Sequence, residues 1–104
     1  MSIFSDFFSR EPVAFAEKLA EKIQRQFPPS VEPQLVKKGA QRRLEGVLEP
    51  IMKDIEAFQS LTTPGWIGKA RFGNAFRWKL KDAGYSEQFV EALTEGVIKN
   101  ITFR

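Results

Sequence analysis

The sequence predicts an all-α fold, a small bundle of about four helices in a single domain spanning residues 1–104. Three observations predict it. Apolar residues recur at three- and four-residue spacing through most of the chain. Prolines, glycines and small hydroxyl residues punctuate those runs where helices should begin and end. Only one stretch, residues 69–81, alternates as a strand does, and an isolated two-stranded ribbon is a poor companion for a chain that offers no third strand. With 104 residues, 42% hydrophobic and 28% charged, the chain can bury a core without covalent staples.

The first helix is expected over 12–27. Pro12 suits a first turn, where its missing N–H is not needed. Val13, Ala16, Leu19, Ala20, Ile23 and Phe27 then fall within about 120° of one another, with Glu17, Lys18, Glu21, Lys22 and Arg25 opposite. Pro28-Pro29 ends it. The residues ahead of it, 1–9, with Ile3, Phe4, Phe7 and Phe8, form an apolar arm or a short extra turn.

A second helix is expected over 33–60, capped by Ser30 and opened by Pro33. One apolar phase runs from Val36 through Ala40, Leu44, Val47, Leu48, Ile51, Met52 and Ile55 to Phe58. Pro50 removes a hydrogen bond inside this run, but the phase survives it, which favours one bent helix over two unrelated ones. Leu44, Leu48, Ile51 and Ile55 are its expected core. Thr63-Pro64 starts the next element, and Ser86 caps a last helix over 87–101 with Phe89, Val90, Leu93, Val97 and Ile101 on one face.

Residues 71–86, RFGNAFRWKLKDAGYS, admit two readings. As a hairpin turning at Gly73-Asn74, they give an α+β fold with a basic ribbon at 69–81. As a helix over 66–83, they place Phe72, Ala75, Phe76, Leu80 and Ala83 within about 140° of one another. The helix also accounts for Gly84, as a left-handed residue just past its end, and for Tyr85 folding back on the last turn. The ribbon leaves 80–86 unexplained, so the helix is the better reading.

Composition excludes several chemistries. Without cysteine there are no disulfides or thiolates, and without histidine the commonest general base and metal ligand are missing together. Glu45 and Glu49 stand one turn apart, but di-metal carboxylate helices need histidine companions. No pair of Ser, Lys, Tyr or acidic residues stands at a telling spacing, so no catalytic, cofactor or metal residues are assigned and no enzyme is expected. The N-terminal stretch lacks the basic region of a secretory signal, and no run of about 18 apolar residues occurs, so no membrane span is expected and the cytoplasm is taken as the default location.

The net charge of +3 is unevenly placed. Residues 63–85 carry Lys69, Arg71, Arg77, Lys79 and Lys81 against Asp82 alone. Within that helix Trp78 turns away from the Phe72–Phe76–Leu80 face. We read it as material for a second buried side, with lysine stems along it; the alternative is an exposed aromatic among cations, able to stack bases. Helix–Gly84–Tyr85–Ser86–helix has helix-turn-helix spacing, but Glu87, Glu91 and Glu95 on the outer side of the last helix would repel phosphates. Gly65-Trp66-Ile67-Gly68 has only the spacing of a GXXG loop.

The candidate binding surface is therefore Lys69, Arg71, Asn74, Arg77, Trp78 and Lys81. The expected function is that of a small non-enzymatic binding or adaptor module docking a protein partner on the basic helix. Nucleic acid on the same surface is the alternative.

Overall fold

The structure, a computed structural model, describes the backbone of residues 3–61 and 66–99 and the side chains of residues 12–58 and 68–99. Four α-helices follow one another: α1 (Ile3–Gln26), α2 (Lys38–Leu61), α3 (Trp66–Ala83) and α4 (Glu87–Lys99). A 3-10 helix, Pro29–Val36, lies between the first two and raises the expected count of four helices by one. No strand occurs among the described residues, so the ribbon at 69–81 is overturned and the α3 reading holds end to end. Gly73 is no turn residue. It is buried in mid-helix, where a Cβ would come within 2.7 Å of the Ile98 side chain.

Side-chain pairs fix the directions. Phe15 meets Phe72 at a ring distance of 5.9 Å, and Glu21 meets Lys79, so α1 and α3 run parallel. Phe15 also stacks on Phe58 at 4.3 Å, while Lys22 pairs with Asp54 at 2.6 Å, so α2 descends beside α1. Arg77 with Glu91, and Gly73 beneath Ile98, set α4 antiparallel to α3. Leu19, Ile23, Phe27, Ile51, Ile55, Phe76, Leu80, Val90 and Val97 are almost wholly buried between the four helices. Ala16 and Ala20, both fully buried and one turn apart, give α1 the slim side that a close neighbour needs.

Three boundaries depart from expectation. First, α1 begins at Ile3 rather than at Pro12, which stands inside the helix and is buried. The spacing of Ile3, Phe4, Phe7 and Phe8 is itself helical, and the proline rule hid that signal; the side chains of 3–11 lie outside the described residues.

Second, residues 29–36 do not join α2. Pro28 and Pro29 fix two φ angles and Pro33 lacks an N–H, which suits the tighter 3-10 turn closed by Val31 N–H on Pro28 O and Lys37 N–H on Gln34 O, both 2.9 Å. Val36 is consequently 86% exposed and off the α2 face. Third, within α2, Ile51 and Ile55 are core as expected, whereas Leu44 and Leu48 are half-buried and pack against the core from its margin. The expected cap at Thr63 and the end of the last helix at Ile101 lie outside the described residues.

The α3–α4 corner follows the sequence closely. Gly84 has φ of 104°, its N–H reaches Lys81 O at 3.0 Å, and Tyr85 N–H reaches back to Leu80 O at 3.5 Å. This pair of bonds satisfies two of the last carbonyls of α3. Ser86 Oγ then accepts from Phe89 N–H at 3.2 Å and caps α4.

Candidate functional site

The position of a side chain on α3 decides which of the six candidate residues can act together. Measured from Trp78 at 100° per residue, Arg71, Asn74 and Lys81 lie within about 60° of it. Arg77 stands about 100° to one side, and Lys69 lies about 180° away. The helix is flanked on two sides and open on the third, and this geometry sorts the candidates.

On the flanks the cations are spent. Arg77 Nε donates to Glu91 Oε2 of α4 at 2.5 Å, and its NH1 donates to Asn74 Oδ1 at 3.2 Å. Lys79, about 100° to the other side, meets Glu21 of α1 at 3.5 Å. These pairs join α3 to its two neighbours. Each is part-exposed, and such pairs stabilise by only about 0.2–1 kcal/mol.

On the open side lies a stripe of Arg71, Asn74, Trp78 and Lys81, joined by Asp82. Trp78 is 63% exposed, which corrects the expectation that a second helix face would cover it. The reason is its angle: the neighbours of α3 pack at the flanks, and among the described residues nothing packs over the middle. Lys81 Nζ sits 5.7 Å from the Trp78 ring centroid, within cation–π range. Arg71 is exposed and has no ion-pair partner among the described residues.

Lys69 is separated from this stripe. It lies on the opposite side of α3 and is half-buried near the start of the helix. The structure therefore brings together four of the six candidates, positions Arg77 as a bridge to α4 and excludes Lys69. The sequence signal that separates them is the angular spacing itself, which a count of charges over 63–85 conceals.

The groups with acid–base potential are elsewhere. Tyr85 is buried, and its hydroxyl donates to Phe27 O. Burial, and to a lesser degree the Glu32 carboxylate, pushes its pKa up to about 12 from the ordinary 10.0, so the phenol is held neutral as a structural donor. Among the described residues no three acidic side chains converge as metal ligands would. No helix among the described residues is long and apolar enough to cross a membrane. Comparison with family models, curated proteins and solved structures yields no match for this chain.

Proposed function

We propose that this protein is a non-catalytic binding module that engages a protein partner through the open stripe of α3. The observation that carries the proposal is Trp78, 63% exposed and flanked by Arg71, Asn74 and Lys81. Tryptophan and arginine are the residues that most often dominate protein interfaces, since each removes a large surface from water while keeping a polar handle. The stripe holds no paired acid and base at hydrogen-bond distance, which supports binding over catalysis.

Nucleic acid is the second reading, favoured by the lysine held over the indole face, an arrangement that stacks bases and neutralises phosphate. Charge weighs against it. Arg77 and Lys79 already face carboxylates, and Asp82 borders the stripe, so Arg71 and Lys81 are left to meet phosphates there. Two phosphate contacts give a slope of log affinity against log salt of only about 1.4–1.8, too shallow for a surface that lives by counterion release.

Anisotropy with labelled single- and double-stranded oligonucleotides at low and high salt separates the two. Protein docking predicts no binding tighter than about 100 μM at low salt, the weak edge of non-specific affinity. It also predicts that cross-linking to a purified partner survives high salt and drops at least about tenfold in Trp78→Ala, the loss expected of a central aromatic anchor. Salt-steep oligonucleotide binding that weakens with Trp78→Ala reverses the order of the readings.

A further inference from the structure

Arg71 and Asp82 mark the two ends of the open side of α3. Both are exposed, and neither has an ion pair among the described residues. At 100° per residue they lie about 20° and 40° from Trp78, on the edge toward α1, and Ala75 lies about 60° away on that same edge. Asp82 is the single acid of α3 and stands in its last turn, where a carboxylate opposes the helix dipole, so the stability of α3 does not account for it. Lys79, one turn earlier, is directed to Glu21 of α1. Arg71 has no acid within a turn of it on α3. About 16–17 Å of helix separates Arg71 from Asp82, so they cannot meet within one molecule.

Their placement is symmetric. Arg71 and Asp82 are equidistant from the midpoint between Phe76 and Arg77, and so are Ala75 and Trp78. A two-fold axis at that midpoint sets two α3 helices antiparallel and brings the same edge of each together. Arg71 of each copy then comes opposite Asp82 of the other, and Trp78 opposite Ala75. Ala75 is small and half-buried, which leaves room for the indole. The two indoles stand about 4–5 Å apart along the helix axis and can stack with an offset. Lys81 lies on the edge toward α4, over its own indole, and the two Lys81 residues are about 13–14 Å apart along the axis, beyond the Debye length at physiological salt.

Given that the open stripe is the docking surface, we propose that the partner it takes is a second copy of this chain, α3 against α3 in antiparallel register, with Arg71 of each copy paired to Asp82 of the other. Because α1 and α4 flank α3 and leave its middle uncovered, the contact is between two helix ridges. It is smaller than a standard interface of about 1,600 Å², so association is reversible and grows with concentration.

Sedimentation velocity of the full chain, from micromolar to millimolar concentration, should show a monomer–dimer equilibrium. Arg71→Glu sets acid against acid at both ends, and Asp82→Arg sets base against base. Each alone should weaken self-association at least about tenfold. Both positions are exposed and both new residues are good helix formers, so circular dichroism should be unchanged. The two single variants mixed should form a heterodimer, since one then carries acid at both ends and the other base at both ends. The double variant Arg71→Glu with Asp82→Arg should pair with itself again. Trp78→Ala should weaken self-association at least about tenfold. Lys81→Gln should not weaken it, whereas docking of an acidic partner would lose affinity.

A chain that stays monomeric at millimolar concentration overturns the self-pairing; cross-linking of a different purified protein, lost in Trp78→Ala, would then leave the stripe as a docking surface. Dimers indifferent to the charge reversals, or no heterodimer from the mixed variants, overturn the self-pairing as well. If Trp78→Ala disturbs neither self-association nor cross-linking, the docking role of the stripe fails with it.

Discussion

α2 carries a clearer apolar phase than α3, yet the molecule buries α3 more deeply. Phe72, Phe76 and Leu80 of α3 are at most 2% exposed, whereas among the described side chains of α2 only Ile51 and Ile55 are covered so deeply, with Val47 at 6% and Leu44, Leu48 and Met52 at the margin. The flanks differ as well. Arg77 and Lys79 of α3 reach carboxylates on both neighbouring helices, while Lys37 and Lys38 at the head of α2 reach none among the described residues. A hydrophobic phase says which side of a helix faces inward; how far that side is buried depends on how many neighbours close over it. α3 has α1 and α4 on its two sides. α2 has α1 and the slender 3-10 helix, and the space left over is an open groove of about 450 Å³ lined in part by Leu35, Leu44, Phe89 and Leu93.

Core truncation breaks this comparison most directly. Phe76→Ala should cost about 3–5 kcal/mol, because the surrounding helices cannot collapse into the space. Leu48→Ala, at a half-covered site, should cost about 1–2 kcal/mol. Urea denaturation measures both, and equal losses would mean that α2 is buried as deeply as α3.

Tyr85 ties the end of α1 to the α3–α4 corner and gives a pH-dependent effect. Its folded pKa of about 12 exceeds the unfolded 10.0, so its contribution is complete below pH 10 and disappears as pH rises toward 12. The loss is about 1.4 kcal/mol per pH unit within that window. Tyr85 is the chain's single tyrosine, so phenolate absorbance reads this residue alone. Tyr85→Phe should cost about 1–2 kcal/mol at neutral pH by leaving Phe27 O without its donor, and should flatten the alkaline limb.

Two glycines sharpen the contrast at smaller scale. Gly84→Ala forces a side chain into φ of 104° and should cost about 1–2 kcal/mol. Gly46→Ala, in exposed mid-α2 with nothing within 4 Å of the added carbon, should instead stabilise by up to about 1 kcal/mol. Smallest of all is Thr94→Val. Thr94 Oγ1 is buried on α4 with no hydrogen-bond partner among the described residues, so removing it should be neutral or gain about 0.5–1 kcal/mol. Thermal melts rank the three.

Much of the fold was legible because local chemistry and packing agree. Gly84, Tyr85 and Ser86 mark the α3–α4 corner by properties of their own backbone and hydroxyl, and no neighbour is needed to read them. The start of α1 was hidden because Pro12 is costly inside a helix, and the rule says nothing about flanking apolar residues that sustain one anyway. The break at 29–37 was hidden because Val36 and Leu44 keep a helical phase across a segment that coils more tightly. Trp78 could not be placed from sequence at all. Its exposure is set by where α1 and α4 sit around α3, and only tertiary packing carries that information. The same holds for Lys37 and Lys38, since residues 31–62 hold five basic and five acidic groups and look neutral in sum.

Pro50 has a consequence for motion. It sits exposed in mid-α2 and has no amide hydrogen to give, so the rung that would join it to the Gly46 carbonyl is absent. The hydrogen-bond ladder of α2 is interrupted there, above Ile51 and Ile55, which anchor the second half in the core. The two halves are therefore unequal in their resistance to opening. Amides of residues 41–49 should exchange with deuterium through partial unfolding that spares residues 53–58, whose protection should track global stability. The half that loosens first forms one wall of the groove, so the groove can widen while the remainder of the molecule stays shut.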